Sequence, residues 1–160
     1  MKHLVLSAIA LSFFVVVSYA TINTTAARAD SAAPAAAGTP SLYKRLGGYD
    51  GLAAVTDDFI GRLVRDPQLS KFFVGLSDDS KARVRQLFLD ELCAASGGPC
   101  LYIGRDMKTA HKGLNINEAE WNAAGADLTA TFDKFGVKQR ERDDLGAILA
   151  KVKPDIVTAK

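Results

Sequence analysis

The chain is expected to be all-helical, a bundle of four main helices with short extra pieces. Apolar residues recur three and four positions apart throughout the globular part, and cap-type residues or glycine pairs bracket each such stretch. No segment between turn signals sustains the two-residue alternation of a half-buried strand.

Of the 160 residues, 48% are hydrophobic, enough for one globular domain. Residues 1–29 stand apart from it. Lys2 and His3 precede an apolar run from Leu4 to Tyr19, and Ala27-Arg28-Ala29 offers small residues at the two positions a signal peptidase reads. Ser18-Tyr19-Ala20 is a second possible cut. A membrane span needs ~20 apolar residues, slightly more than this run supplies. A cleaved signal peptide is therefore expected, with the bacterial periplasm as destination, and membrane association only if the leader is left uncut. Residues 30–40 are rich in Ala, Ser, Gly and Pro and read as a flexible linker.

The globular domain then runs over residues 41–157. Leu52, Val55, Phe59 and Leu63 share one helical face, with Asp50 as a candidate N-cap and Asp66-Pro67 as a stop. A short turn carries Leu69, Phe72 and Phe73. Val84, Leu87, Phe88 and Leu92 form the next stripe, between Ser77-Asp78-Asp79-Ser80 and Gly97-Gly98-Pro99. A brief helix from about Arg105 ends at Gly113, a suitable left-handed cap. Asn117 with Glu120 three residues on reads as a capping box, opening a helix with Trp121, Ala124, Leu128 and Phe132 that ends near Gly136. The last helix carries Leu145, Ile148, Leu149, Val152 and Ile156, with Pro154 near its end, where a kink costs little core.

Several function classes are excluded. Cleavage of the leader removes Lys2 and Arg28, leaving 18 basic against 18 acidic residues, so nucleic acid is not a partner. No nucleophile elbow and no Walker or dinucleotide glycine pattern occurs. Cys93 and Cys100 are too far apart for Cys-x-x-Cys-His, which rules out covalent c-type haem, and no zinc-site spacing exists. In an oxidising compartment the two can close a small loop as a disulfide, or remain a buried helical thiol and a loop thiol that never meet.

What remains is Arg105-Asp106-Met107-Lys108-Thr109-Ala110-His111-Lys112-Gly113-Leu114-Asn115-Ile116. Met107 lies four residues before His111, the only histidine left after leader removal, so thioether and imidazole share a helical face. With Ala110, Leu114 and Ile116 beside them, they can meet a flat apolar cofactor, and imidazole is the usual proximal ligand of a haem iron with one open face. The plain alternative is a histidine at a helix C-terminus, where the macrodipole favours a cation.

Residues 41–157 resemble a truncated haemoglobin of the first group. The pieces that carry the resemblance are Leu42-Tyr43-Lys44-Arg45-Leu46-Gly47-Gly48, Asp66-Pro67-Gln68-Leu69-Ser70-Lys71-Phe72-Phe73 and Arg85-Gln86-Leu87-Phe88. Gly97-Gly98-Pro99 leading to Tyr102, and Gly104 through Leu114, complete the series. The resemblance implies a two-over-two helical sandwich around non-covalent haem b. It implies His111 as the iron ligand, Phe73 packing on the haem face, Met107 and Ala110 on the proximal wall, and Leu114, Ile116 and Trp121 lining the pocket. Phe73 and Trp121 are also ordinary core aromatics, since a haem is part of the core.

The departure is distal. The family's tyrosine in the first long helix is replaced by Ile60, which offers only apolar bulk. The resemblance places Gln86 as a distal amide donor and Ala82 where other globins carry a distal His or Gln. Arg85 stands where some relatives have a second iron-binding histidine. A guanidinium is a poor ligand, so five-coordinate iron is expected, with Arg85 and Lys81 solvated or meeting the haem propionates.

The resulting expectation is an exported globin reversibly binding a diatomic gas, O2, NO or CO, with oxygen the family default. A gas-binding carrier is preferred to the alternative, an envelope haem enzyme acting as nitric-oxide dioxygenase or peroxidase, which requires a distal polar donor and a reductase partner. A haem-free interaction bundle is the remaining hypothesis.

Overall fold

The computed structural model describes residues 38–159, so the leader at 1–29 and most of the linker at 30–40 lie outside the described residues. The helices are α1 (Leu42–Arg45), α2 (Gly48–Arg65), α3 (Asp78–Ala95), α4 (Met107–Ala110), α5 (Glu118–Lys134) and α6 (Gln139–Ile156). A 3-10 turn, Ser70–Phe73, joins α2 to α3. The expected four long helices are thus α2, α3, α5 and α6.

Local chemistry explains the boundaries. The Ser77 hydroxyl accepts from Ser80 N–H and opens α3. Asn117 accepts from Glu120 N–H at 3.0 Å while the Glu120 carboxylate accepts from Asn117 N–H at 2.8 Å, a complete capping box for α5. The cap of α2 differs from expectation: Gly47, with φ +87°, takes the position and Asp50 falls within the first turn, where its charge still complements the helix dipole. The brief helix is also shorter than its sequence pattern, because Asp106 caps it by accepting from Thr109 N–H at 2.9 Å. Gly113, with φ +85°, ends that segment in the left-handed region. The extended pairing among the described residues is one isolated bridge, Ile116 with Val157.

Leu52, Val55 and Phe59 of α2 pack with Leu89, Leu92 and Cys93 of α3, Leu128 and Phe132 of α5, and Leu145 of α6. Two charge networks hold α2 in place. The Asp58 carboxylate takes bonds from Arg62 at 2.7 Å and from Lys134 at 2.5 Å and Thr131 at 2.9 Å on α5. The Lys134 and Arg62 bonds hold its pKa well below the usual carboxylate range. Arg85 of α3 grips Asp57 in a two-point fork at 2.6 and 3.0 Å.

Cys93 and Cys100 are joined as a disulfide, their Cα atoms 5.7 Å apart. Gly98 sits between them for reasons of space: a Cβ there would fall 2.5 Å from the Tyr43 ring and 2.7 Å from Cys93 Sγ. The bridge ties the end of α3 to the loop that leads into α4.

Candidate functional site

α4 packs against α6, and between the α4 segment and the α2–α3 pair lies a cavity of about 430 Å³. The α4 segment contributes Met107, Ala110, His111, Leu114 and Ile116. The long helices α2 and α3 contribute Phe59, Ile60, Leu63, Val84, Leu87 and Phe88. Leu69, Phe72, Phe73 and Leu76 come from the 3-10 turn and its flanks, and Trp121, Ala124 and Ile156 close the α5–α6 end. The Phe59 and Phe88 rings lie 5.5 Å apart, locking the α2 and α3 contributions together.

His111 occupies the C-cap of α4, half-buried, with Nδ1 2.9 Å from the Met107 carbonyl. A carbonyl only accepts, so Nδ1 carries the proton and donates. In the neutral ring this leaves the lone pair on Nε2, the arrangement an imidazole needs to ligate a metal. The four-residue spacing of Met107 and His111 matters twice, placing the Met107 side chain in the cavity and its carbonyl beneath the imidazole.

Three further polar side chains reach the lining, none of them anticipated as site residues from sequence: Glu91, Tyr102 and Glu120. The Tyr102 hydroxyl donates to the Arg105 carbonyl at 2.5 Å, and burial, with Glu91 and Asp106 nearby, raises its pKa. Glu120 pairs with Lys71 on the 3-10 turn and accepts from Asn117 N–H, which together hold it ionised.

The cavity therefore brings together Ile60, Phe73, Met107, Ala110, His111, Leu114, Ile116 and Trp121. It does not include Ala82, Arg85 or Gln86. The Gln86 amide donates to the Asp90 carboxylate at 2.9 Å and to the Tyr49 hydroxyl at 3.1 Å. Arg85 is engaged with Asp57 rather than with any group in the cavity, and Ala82 is exposed. Helix geometry is the reason. The cavity face of α3 is Val84, Leu87, Phe88 and Glu91, at spacings of three and four, and residues two positions away point to another side. That face was present in the apolar stripe of the sequence, while the assignment of Ala82 and Gln86 rested on the resemblance.

The donor set fits a haem. A flat, largely hydrocarbon ring system suits this apolar cavity, and a single imidazole with one committed nitrogen suits an iron that takes one protein ligand. Among the described residues no cluster of three or more His, Cys, Asp or Glu offers a site for a bare metal ion.

This arrangement, a helical sandwich with one histidine facing an apolar slot, defines a globin of the shortened, two-over-two kind. Residues 41–158 match the family model described as bacterial-like globin, and the chain belongs to that family. It is similar to a group 1 truncated hemoglobin of Mycolicibacterium paratuberculosis, 31% identical over 120 residues that span 75% of this chain and 86% of that one. Another, from Chlamydomonas moewusii, is 32% identical over 134 residues, 82% of this chain and 77% of that one. The crystal structure of truncated hemoglobin from Tetrahymena pyriformis, Fe(III) form, superposes with a TM-score of 0.68 at 25% identity, covering 74% of this chain and 98% of that one. The 2/2 hemoglobin from Synechococcus, solved in the cyanomet state with covalently attached heme, gives 0.66 at 26% identity over the same shares. Haem b is the cofactor of this globin.

His111 Nε2 would hold the iron, with Phe73, Met107, Leu114 and Trp121 packing about the ring. When bound, the haem supplies an iron that can take a gaseous ligand; the chain supplies orientation, access and polarity.

Proposed function

We propose that the chain is an exported globin that reversibly binds a diatomic gas at a haem iron held five-coordinate by His111. One observation carries the reading: the Met107 carbonyl fixes the His111 tautomer, presenting a single free imidazole nitrogen within an apolar cavity. Apart from the Glu91 carboxylate, the side chains that α2 and α3 bring to the lining are hydrocarbon, which favours an open sixth position. Export is supported by the leader pattern in the sequence and by the Cys93–Cys100 disulfide, which suits an oxidising compartment. The bacterial periplasm is the compartment proposed. The enzyme alternative needs a polar donor facing the reacting centre, and its two candidates, Gln86 and Arg85, are occupied elsewhere.

The test is the absorption spectrum of the haem-loaded protein and its His111→Ala variant. Wild type should show a five-coordinate ferrous spectrum that shifts reversibly on adding carbon monoxide. His111→Ala should lose it and bind haem more weakly, by at least the ~10–100-fold seen when only a ligand's supporting partner is removed. An unchanged spectrum in the variant rejects the assignment. N-terminal sequencing of the periplasmic form should begin after Ala20 or Ala29; an intact Met1 there would reject cleavage.

A further inference from the structure

The loop that leads into α4 has an outer side that the cavity does not use. Tyr102 folds inward, its hydroxyl on the Arg105 carbonyl and its ring so close to Gly104 that a Cβ there would collide with it. Its two neighbours stand in solvent: Leu101 is 78% exposed and Ile103 75%. The disulfide at Cys100 braces the loop before them and the Tyr102 bond braces it after them. A single exposed aliphatic residue needs no explanation, but a braced pair beside a charge cluster does.

The charge cluster follows at once. Arg105, Lys108 and Lys112 are exposed, stand three and four positions apart along the segment that bears His111, and make no ion pair among the described residues. Asp106 is the one acidic residue between Pro99 and Ile116, and its carboxylate is committed to Thr109 N–H. Ile103 and Arg105 are two residues apart, ~7 Å at most along the chain, so hydrocarbon and positive charge adjoin.

We infer that this surface docks the globin domain on an anionic lipid bilayer, with Leu101 and Ile103 entering the headgroup boundary while Arg105, Lys108 and Lys112 meet lipid phosphates. Aliphatic tips among unpaired cations suit an interfacial membrane contact, in which apolar area and charge each add to binding. A protein interface draws on Tyr, Trp and Arg and is depleted in Lys, whereas two of these three cations are Lys. A second copy is disfavoured, because a two-fold contact would set like charges against each other. The surface belongs to the globular domain, so this docking is separate from attachment through an uncut leader.

The experiment follows co-sedimentation of the exported, haem-loaded protein with vesicles of phosphatidylglycerol and phosphatidylcholine, and with phosphatidylcholine vesicles alone. Wild type should prefer the anionic vesicles and be released as salt rises. Lys108→Gln/Lys112→Gln should weaken that binding ~25-fold, about fivefold per charge. Leu101→Ser/Ile103→Ser should weaken it at least ~10-fold through lost apolar contact. Both variants change exposed positions and should keep the wild-type Soret band. Equal vesicle binding by wild type and both variants, or no preference for anionic lipid, would overturn the inference. Haem loss in the lysine variant would do so too, by assigning those cations to the haem carboxylates. Binding that appears only with native membranes and vanishes when their proteins are digested would assign the surface to a protein partner and equally overturn it.

Discussion

The two sides of the cavity are built by different means. On the α4 side a short, capped helix holds one imidazole by a backbone carbonyl, and a disulfide anchors the loop before it. On the α2–α3 side two 18-residue helices present hydrocarbon to the cavity, with Glu91 the one charged exception, and are fastened through charges on their other faces, Asp57 with Arg85 and Asp58 with Lys134. A four-residue helix has too few hydrogen bonds to hold itself, so the ligand-bearing side depends on caps and a covalent link. The long helices need no such help, and their polar groups serve packing rather than chemistry. The lesson is a division of labour: one side holds the histidine, the other shapes the largely apolar wall it faces.

If so, the two sides should fail under different conditions. Removing the disulfide by Cys93→Ser/Cys100→Ser should cost ~2.5 kcal/mol by the loop-entropy relation for so short a loop, the two cysteines being seven residues apart. Because the lost constraint lies just before α4, haem release to an apoglobin acceptor should accelerate as well. Denaturant melts combined with release rates check this. Loss of stability with unchanged haem release would mean that Asp106 and the Met107 carbonyl hold the His111 side unaided.

The other side should be sensitive to acid. Asp58 has its pKa depressed in the folded protein, chiefly by Lys134 and Arg62. A depressed carboxylate contributes stability above its unfolded value of about 3.9, and that contribution is lost as pH falls through the folded value. Asp58→Asn should thus destabilise by ~1.5–2 kcal/mol at neutral pH, the worth of bonds to a charged group, and by progressively less below about pH 4. Melting curves between pH 7 and pH 3 in wild type and variant test this. A difference that stays constant with pH would show that Asp58 acts through packing alone.

Much of this was legible in the sequence. The four long helices followed from three- and four-residue spacing, the α5 cap from Asn117 and Glu120, and the His111 side from a contiguous segment that needs no long-range register. The α2–α3 side was harder. Val84, Leu87 and Phe88 already formed the visible apolar stripe, yet the resemblance gave Gln86 the distal role. Periodicity is a property of the helix itself, whereas a position transferred by resemblance depends on the register of the match. The Lys71–Glu120 and Asp58–Lys134 pairs left no signal, since they join residues 49 and 76 positions apart. Asp50 was preferred as the α2 cap because aspartate is a common cap, but the left-handed backbone at Gly47 starts the helix earlier.

The register of α3 makes the smallest prediction and a sharp one. Gln86 and Leu87 are neighbours in sequence but face different surroundings, an Asp90–Tyr49 contact for one and the cavity for the other. Gln86→Ala removes an (i, i+4) amide–carboxylate pair, worth ~0.2–0.5 kcal/mol, and should leave oxygen and carbon monoxide dissociation unchanged. Leu87→Gln, one residue on, brings an amide to the cavity and should slow oxygen release while sparing carbon monoxide. Rate measurements on the two variants side by side decide the matter, because a rotation of α3 about its axis cannot satisfy both. If Gln86→Ala speeds oxygen release several-fold and Leu87→Gln does nothing, Gln86 faces the ligand, and the contrast between a binding side and an unpolarised side falls.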